Sequence, residues 1–420
     1  MVKRVVITGM GTVTPMGIGV PAFWQGLCEG RSTVQKIDLF DPSAFRSQVA
    51  AIVPDFNPKE LGLTDEEIGR MDRYIQFAVI AADEAVRNSG LNLTQEDRSL
   101  IGTCINSAIG GTARMEQNWR EATKDGACPP DWRAVDKNLY LYASPYAITS
   151  EIAQRFTLHG PAIGISTGCT TGLDSAGYAF ELIRSGEAVV MVTGSSEAPI
   201  CPITLAAFDK IGACSTSWNH DPKRASRPFD AKRDGFVLGE GSGIIIMEEY
   251  EHARARGAHI LAEIISFSSN CNAFHMTGLK PDGIETAYSI KKCLTDPGLS
   301  PDSVQYINSH GSATQQNDSH ETGAYKNVFK DAAYKIPISS IKSCIGHALG
   351  GVGSIEIIAS VLSLMYDVIP PTINIEFSDP ECDLDYVPHK ARQAEVHTVI
   401  SNASGFSGLH SCISLTEIAA

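Results

Sequence analysis

The stretch Ile-Ser-Thr-Gly-Cys-Thr-Thr-Gly-Leu-Asp at residues 165–174 places one cysteine between a tight turn and the start of an apolar helix. The periodicity that follows predicts this helix over residues 170–184. A thiol at a helix N-terminus lies at the positive end of the helix dipole, which favours the thiolate, and the free N–H groups there can hold an oxyanion. We therefore predict that Cys169 is a nucleophile, and that Gly168 and Gly172 keep its surroundings open to a bulky group.

Two histidines occupy similar glycine-flanked loop positions far downstream. His310 directly follows a predicted strand, and His347 stands where a loop leads into a second long apolar helix. Two neutral imidazoles beside one cysteine can donate hydrogen bonds to a thioester carbonyl oxygen and stabilise the enolate that forms there. Lys342 is either a surface lysine or a charge within this group, and its spacing leaves both open. If it is buried it needs a partner, for which Asp318 and Glu356 are the candidates.

The composition limits the partners and compartments that the chain suits. Its 34 basic and 48 acidic residues give a formal net charge of −14, which argues against a nucleic-acid partner. No apolar run is expected to reach the roughly 18 residues of a membrane helix, and the N-terminal apolar stretch is too short for a secretory signal. The 11 cysteines are irregularly spaced and form no C-x-x-C pair, which favours a reducing cytoplasm. The sequence shows no motif for a metal or a nucleotide.

Strand-like and helix-like segments alternate along the chain, which is typical of a layered α/β architecture. The two halves of the sequence show a faint similarity. In each half a strand leads into a glycine-rich loop, with Cys169 in the first and His347 in the second, and a long apolar helix follows. This pattern predicts an internally duplicated fold whose break lies near residues 254–258. The halves would be residues 1–256, which carry the cysteine, and residues 257–420, which carry both histidines.

These motifs together resemble the β-ketoacyl synthases of the thiolase superfamily over essentially the full length of the chain. The resemblance rests on four segments in the family's order, Val-Val-Ile-Thr-Gly-Met-Gly (5–11), Ser-Arg-Pro-Phe-Asp (226–230), Arg-Asp-Gly-Phe-Val-Leu-Gly-Glu-Gly (233–241) and Ser-Asn-Ala-Ser-Gly-Phe-Ser-Gly (401–408). Within that family the chain is most similar to the ketosynthase alpha subunits of type II aromatic polyketide synthases, through residues 166–174, 271–279 and 316–321. The resemblance implies a thiolase-like duplicated fold with five layers, α/β/α/β/α.

The resemblance also implies a reaction. Cys169 would accept an acyl chain, and His310 and His347 would promote decarboxylation of a malonyl extender and stabilise its enolate. The result is a decarboxylative Claisen condensation of malonyl-carrier-protein units onto the Cys-bound chain, which builds a poly-β-ketone. Three further residues would support this network, namely Lys342, Asp318 and Glu356.

Other implied roles concern the oxyanion hole, the gate and the substrate arm. The backbone N–H groups of Cys169 and Phe406 would form the oxyanion hole, and Phe406 would also gate the pocket. The hydroxyl groups expected to contact the pantetheine arm or the malonyl group belong to Ser312 and Thr314. The chain departs from the family at Ala313 and Ser407, where glycine is common, so these positions are expected to affect the pocket and the gate.

The implied partners are an acyl carrier protein and either a chain-length-factor homologue, in a heterodimer, or a second copy, in a homodimer. No cofactor would bind the enzyme itself, because phosphopantetheine arrives on the carrier. The carrier is acidic as a class and would need a local basic patch, for which Arg70 and Arg73 are candidates. No nucleic acid and no membrane would be involved, and the cytoplasm is the expected compartment.

Three alternatives remain. A fatty-acid elongating 3-oxoacyl-[acyl-carrier-protein] synthase shares the active-site motifs and would extend its substrate once. A non-catalytic chain-length-factor subunit usually carries glutamine at the cysteine position, so Cys169 argues against it. A degradative thiolase would use a second cysteine as base, with Cys344 or Cys412 as candidates, but the two-histidine pattern disfavours it.

Overall fold

Strands and helices alternate along the chain, as the apolar periodicity predicts. A computed structural model of the protein describes residues 2–280 and 282–418, without the side chain of Ser407. The strands are β1 (Val5–Thr14), β2 (Gly17–Ile18), β3 (Val34–Lys36), β4 (Val49–Ala51), β5 (Ile101–Asn106), β6 (Val190–Glu197), β7 (Leu238–Gly239), β8 (Gly241–Glu249), β9 (Ala262–Cys271), β10 (Tyr306–Asn308), β11 (Ile338–Ser339), β12 (Val368–Ile369), β13 (Arg392–Gln393), β14 (Thr398–Gly405) and β15 (Leu409–Thr416). The helices are α1 (Val20–Cys28), α2 (Asp65–Arg70), α3 (Arg73–Ser89), α4 (Thr112–Thr123), α5 (Leu139–Ala143), α6 (Ala147–Phe156), α7 (Thr171–Ser185), α8 (Pro202–Lys210), α9 (Tyr250–Ala255), α10 (Ile284–Thr295), α11 (Gln315–Phe329), α12 (Lys342–Ile345) and α13 (Val352–Tyr366).

The main sheet contains the same arrangement twice. Its order is β11-β10-β14-β15-β9-β1-β8-β6-β5. In the first part β5 runs parallel to β6, and β8 is antiparallel to both β6 and β1. In the second part β10 runs parallel to β14, and β15 is antiparallel to both β14 and β9. The two parts join where β1 pairs antiparallel with β9.

Helices form three layers around these two parts of the sheet. Helix α3 covers the outer face of the first part, on β1, β8 and β6, and α10 covers β9 and β15 in the second. Helices α7 and α13 lie between the two parts and contact strands of both. The layers therefore follow the order α/β/α/β/α, which confirms the predicted five-layered, thiolase-like architecture.

The two central helices approach each other closely at glycine. A Cβ atom added at Gly172 of α7 would lie 2.3 Å from the backbone nitrogen of Ser354 on α13, and one added at Gly353 would lie 2.9 Å from Leu173 N. Both distances are far below van der Waals contact, so glycine is required for the packing of α7 on α13. This corrects the expectation that Gly172 keeps the cysteine accessible.

Helix α13 is rich in apolar residues and buried between the two parts of the sheet. The segment Leu349–Tyr366 is 18 residues long and apolar enough to cross a membrane by length and composition, but 89% of it is buried inside the protein. This corrects the expectation that no apolar segment reaches such a length. Its uniform hydrophobicity is that of a helix buried on all sides.

Candidate active site

Cys169 lies at the junction that the sequence predicts. A short 3-10 turn, Gly168–Thr170, carries the cysteine, and α7 begins at the next residue, Thr171. Gly168 has a φ of +66°, in the left-handed region that favours glycine, and apart from its chain neighbours no atom of the described residues lies within 4 Å of its Cβ position. Glycine at 168 therefore makes the turn possible and leaves open space beside the thiol.

The cysteine and both histidines line one cavity. Its volume is about 370 Å³, and Cys169, His310 and His347 all form part of its wall. The remaining wall includes the aromatic residues Phe208, Phe236 and Phe406, and the hydroxyl residues Ser312, Thr314, Ser404 and Thr277. The segments that carry the cysteine and the two histidines, one from the first half and two from the second, thus meet at a single concave site.

The two imidazoles are adjacent and neutral. Their ring centroids are 5.3 Å apart with an interplanar angle of 81°, and His347 also contacts the ring of Phe236 edge-on at 5.3 Å. Within the described residues, the Nδ1 atoms of His310 and His347 are buried without a hydrogen-bond partner, so Nε2 is the nitrogen available to the cavity. Burial and the positive charge of Lys342 lower the pKa of both histidines well below the usual 6.5.

Lys342 is a buried charge behind His310 and not a surface lysine. Only 1% of it is exposed. Its Nζ donates a hydrogen bond to the carbonyl oxygen of His310 at 2.6 Å and forms an ion pair with Glu356. Burial raises the pKa of Glu356 to about 7, and Lys342 opposes that shift. The pair therefore supplies a fixed ammonium close to the histidines.

Burial dominates the thiol of Cys169. It raises the pKa of the thiol to about 11, although Lys342 and the backbone N–H groups of Phe406 and Cys169 act to lower it. This corrects the expectation of a thiolate at the helix terminus, because the enclosure of the sulfur outweighs the effects of Lys342 and the two N–H groups. The backbone N–H groups of Phe406 and Cys169 thus both lie close to the sulfur.

The sequence suggested Asp318 as a partner of Lys342, but the two side chains are not in contact. Its carboxylate accepts a hydrogen bond from Phe229 N at 2.7 Å and lies 3.7 Å from Nε of Arg233. Asp318 is part of α11, whereas Glu356 extends from α13 toward Lys342. Glu356 reaches the lysine because it lies on the central helix α13, whereas Asp318 lies on α11 in another layer.

Glu321, which the sequence did not single out, holds the His310 loop in place. Its carboxylate accepts hydrogen bonds from the backbone N–H groups of His310 at 2.7 Å and Gly311 at 2.8 Å, and from the hydroxyl of Tyr325 at 2.7 Å. The residue is fully buried. Its spacing of one helical turn from Asp318 puts both acids on one face of α11, which was the available signal.

A second unpredicted acid, Glu197, lies behind the cysteine. It accepts hydrogen bonds from Ala108 N at 2.7 Å and Gly350 N at 3.2 Å, and from the hydroxyl of Ser107 at 2.5 Å. Burial raises its pKa to about 7, and its charge acts to raise the pKa of the Cys169 thiol. Glu197 thus ties the loops of both halves together at the base of the cavity.

The hydroxyl pair at 312 and 314 lies at the cavity wall. Ser312 Oγ is 3.0 Å from Thr314 Oγ1, and Thr314 also caps α11 by accepting a hydrogen bond from Asn317 N at 3.2 Å. Ala313 between them has a φ of +68°, a conformation that costs an alanine strain and a glycine none. The side chain of Ser407 lies outside the described part of the structure.

The candidate basic patch is neutralised. Arg70 pairs with Glu151 at 2.9 Å, and Arg73 pairs with Glu240 at 2.7 Å. The guanidinium of Arg73 also lies over the ring of Phe77, 4.7 Å from its centroid. Each guanidinium thus already has a carboxylate partner, which reduces the positive charge that the two arginines could offer to an acidic carrier.

Family models match most of the chain. The model described as the N-terminal domain of β-ketoacyl synthase matches residues 2–253, and the C-terminal domain model matches residues 261–376. The ketoacyl synthase alpha subunit of the tetracenomycin polyketide synthase from Streptomyces glaucescens is 47% identical over 99% of this chain and 97% of that protein. A 3-oxoacyl-[acyl-carrier-protein] synthase 2 from Coxiella burnetii is 40% identical over 99% of both chains.

Solved structures match over the full chain. One is a type II polyketide synthase acyl-carrier protein in complex with its ketosynthase bound to the hexaketide, with a TM-score of 0.94 and 38% identity over 100% of both chains. Another is the ishigamide ketosynthase/chain length factor, with a TM-score of 0.91 and 32% identity over 100% of both chains. The TM-scores show that the present chain has the same fold as these two ketosynthase structures.

Proposed function

The chain belongs to the β-ketoacyl synthase family, and on this premise we propose that Cys169 carries the growing acyl chain while His310 and His347 act on the extender. The enzyme is an acyltransferase that condenses malonyl-carrier-protein units onto that chain with loss of CO₂ and builds a poly-β-ketone in type II polyketide biosynthesis. The observation that carries the proposal is the single cavity lined by all three side chains.

The first half-reaction transfers the acyl group to the enzyme. The sulfur of Cys169 attacks the thioester carbon of the acyl carrier, and the carbonyl oxygen becomes an oxyanion held by the N–H groups of Cys169 and Phe406. Because the thiol has a raised pKa, its proton leaves during the attack. That proton ends on the departing carrier thiol, so the step changes no net charge in a buried site.

The second half-reaction forms the carbon–carbon bond. The malonyl thioester loses its carboxylate as CO₂, and the electron pair moves into an enolate whose oxygen accepts hydrogen bonds from Nε2–H of His310 and His347. Neutral imidazoles suit this role, since each has one N–H to donate and holds no positive charge before the enolate forms. The enolate carbon then attacks the acyl carbon, and the bond from that carbon to Cys169 Sγ breaks.

Several other residues would assist. Lys342, paired with Glu356, would hold the His310 loop through its carbonyl oxygen and supply fixed positive charge. Asp318 would act at a distance, by ordering Arg233 and the start of α11. The hydroxyl groups of Ser312 and Thr314 would contact the incoming pantetheine arm or the malonyl group, and Phe406 would gate the cavity.

The partners follow from the substrates. An acyl carrier protein would deliver both acyl groups on its phosphopantetheine arm, so the enzyme itself would bind no cofactor. A chain-length-factor homologue would complete a heterodimer, with a homodimer as the alternative; the matched ketosynthase structures contain a carrier protein in one case and a chain length factor in the other. The halves 1–256 and 257–420 would be the duplicated units, each contributing one side of the cavity. The cytoplasm is the proposed compartment, because the irregular cysteine spacing suits a reducing environment.

Fatty-acid elongation is the second candidate, because the active-site residues are common to both activities. The higher identity to the tetracenomycin subunit than to the Coxiella synthase, 47% against 40%, favours polyketide formation. A non-catalytic chain-length-factor role is the weakest candidate, since Cys169 stands where that subunit usually has glutamine.

A product assay separates these functions. The enzyme would be incubated with a chain-length-factor homologue, malonyl-loaded carrier protein and a primed carrier, and the carrier-bound products would be weighed by mass spectrometry. We expect products longer by several two-carbon units, each retaining its ketone, and a His310→Ala enzyme that self-acylates but extends poorly. Products that stop after one extension, whichever chain-length-factor homologue is added, would instead identify an elongating synthase of fatty-acid type.

A further inference from the structure

A buried chain of hydrogen bonds runs behind the cavity and involves residues to which the proposed reaction assigns no role. The hydroxyl of Thr286 on α10 is 2.9 Å from Nε2 of His320 on α11 and 2.9 Å from Nδ1 of His410 on β15. Nδ1 of His320 is 2.5 Å from the carbonyl oxygen of Lys280, and Nδ1 of His410 is also 3.0 Å from Oγ of Ser404. We call these five residues the Thr286 relay.

The relay is inaccessible to solvent at its centre. Thr286 and His320 are each 1% exposed, and His410 is fully buried. The two imidazoles stack with ring centroids 5.7 Å apart and an interplanar angle of 16°. Burial, with the neighbouring His320, lowers the pKa of His410 to about 4. The His410 ring is therefore neutral and carries one N–H.

The hydrogen bonds of the relay donate in one order, from His410 through Thr286 and His320 to the carbonyl oxygen of Lys280. A carbonyl oxygen accepts only, so Nδ1 of His320 carries a proton, and in a neutral imidazole its Nε2 is then an acceptor. The Thr286 hydroxyl must then donate to His320, which leaves the Thr286 oxygen to accept from Nδ1–H of His410. The same N–H of His410 also points at the oxygen of Ser404.

As a consequence, the hydroxyl of Ser404 can donate its hydrogen to a group bound in the cavity. Ser404 lines the cavity and accepts from His410. Among the side chains that the structure describes, a second hydroxyl near Ser404 is that of Thr286 at 3.4 Å, which exceeds the roughly 2.5–3.0 Å of a normal O–H···O bond. A carbonyl oxygen arriving in the cavity is thus a better acceptor for the Ser404 hydrogen than Thr286 is.

The relay also joins two walls of the cavity. Its Ser404 end precedes Gly405 and Phe406, and His410 is the register partner of Ser404 across the β14–β15 pair. Its Lys280 end follows the wall residues Thr277, Gly278 and Leu279, and Leu279 is held to α11 through a hydrogen bond from Gln316. The relay therefore fixes the base of the gate segment relative to the loop opposite it.

We propose that Ser404 is a specificity residue that donates a hydrogen bond to a ketone oxygen of the growing chain, and that His410 and Thr286 are positioning residues that orient its hydroxyl. The inference rests on the proposed function, because only an enzyme that retains its ketones holds such an oxygen beside Cys169. A chain whose β-carbon is a methylene has no acceptor for the Ser404 hydrogen.

The test compares two four-carbon chains on Cys169 that differ only in the β-ketone, acetoacetyl and butyryl. Single-turnover condensation with malonyl carrier would be measured for the wild type, Thr286→Val, Ser404→Ala and the double variant. We expect Thr286→Val to slow the acetoacetyl-primed reaction about three- to tenfold more than the butyryl-primed reaction, the range of one neutral hydrogen bond. In the Ser404→Ala background the Thr286 change should add no further selectivity.

Thr295→Val, an exposed change on the same helix, is the matched control, and Thr286→Ser should restore the wild-type preference.

The proposal would be overturned if Thr286→Val slowed the acetoacetyl-primed and butyryl-primed reactions equally. It would also be overturned if Thr286→Val still slowed the acetoacetyl-primed reaction more in the Ser404→Ala background. A second readout does not depend on activity. The ¹⁵N spectrum of histidine-labelled enzyme should show His410 with its proton on Nδ1, assigned with His410→Gln, and a proton on Nε2 would equally refute the relay. A wild type that condenses neither chain would instead refute the proposed function, while the spectrum would still decide the direction of the relay.

Discussion

At Cys169, burial and the positive charge of Lys342 act in opposite directions on the pKa of one thiol. The sequence predicted where the cysteine lies, because a glycine turn followed by an apolar periodicity is a local signal. It did not predict the protonation of that cysteine. The residues that enclose the sulfur or act on it, Phe406, Glu197 and Lys342, come from three distant segments, and their placement is a property of the tertiary fold.

The raised pKa of the Cys169 thiol makes its reactivity depend on pH in a defined way. With a folded-state pKa of about 11, the thiol form is favoured and the thiolate fraction still increases well above pH 9. We expect the rate of alkylation at Cys169 by iodoacetamide, followed by peptide mass spectrometry, to rise through that range. A plateau near the pKa of a free cysteine, about 8.5, would show that the sulfur is not enclosed.

The buried Lys342–Glu356 pair gives a stability prediction. Lys342→Met leaves the Glu356 carboxylate buried without its partner, which is expected to cost about 3–5 kcal/mol in the free energy of unfolding. Adding Glu356→Gln removes that charge and should recover part of the loss in urea titrations. If the double variant is as unstable as Lys342→Met, the lysine stabilises the fold by some route other than this pair.

At the scale of elements, periodicity locates both central helices but not their contact. The sequence predicted a helix at residues 170–184 and a second long apolar helix after His347, and the structure has Thr171–Ser185 and Val352–Tyr366. Apolar spacing reveals that a helix is buried, and it cannot reveal which helix lies against it. The wrong role predicted for Gly172 and the wrong partner predicted for Asp318 both come from this gap, since each depends on which layer faces which.

Packing of α7 on α13 predicts opposite outcomes for two glycine substitutions. Gly172→Ala places a Cβ 2.3 Å from Ser354 N and is expected to destabilise the protein by about 1–3 kcal/mol or more, as overpacking does. Gly69→Ala, in α2 with no atom within 4 Å of the added Cβ, should be neutral or stabilising by about 0.5–1 kcal/mol. Equal unfolding midpoints for the two variants would contradict the close approach of the helices.

At the scale of the whole molecule, the two halves share one core. The largest apolar cluster combines residues of the first half with residues of the second, among them Val5, Met10, Leu173, Ile355 and Ile413. The faint repeat in the sequence predicted duplication but not the strand order or the β1–β9 pairing that joins the sheet. Those depend on contacts between segments far apart in the chain, which no local pattern records.

A shared core predicts that the halves depend on each other. Expressed alone, residues 1–256 would expose the inner face of α7, and residues 257–420 would expose that of α13. We expect neither fragment to show a cooperative thermal transition or dispersed amide NMR signals. Cooperative melting of either fragment by itself would show that the central layer is not needed for folding.

The claim that Cys169 accepts the growing chain is tested most directly by intact-mass measurement. Wild-type enzyme incubated with an acyl-loaded carrier protein should gain the mass of one acyl group, and peptide mapping should place it on Cys169. Cys169→Ala should remain folded and gain nothing, whereas Cys344→Ala, which removes a buried thiol near the site, should still be acylated. An acyl group found on the Cys169→Ala protein, or on another residue of the wild type, would contradict the account.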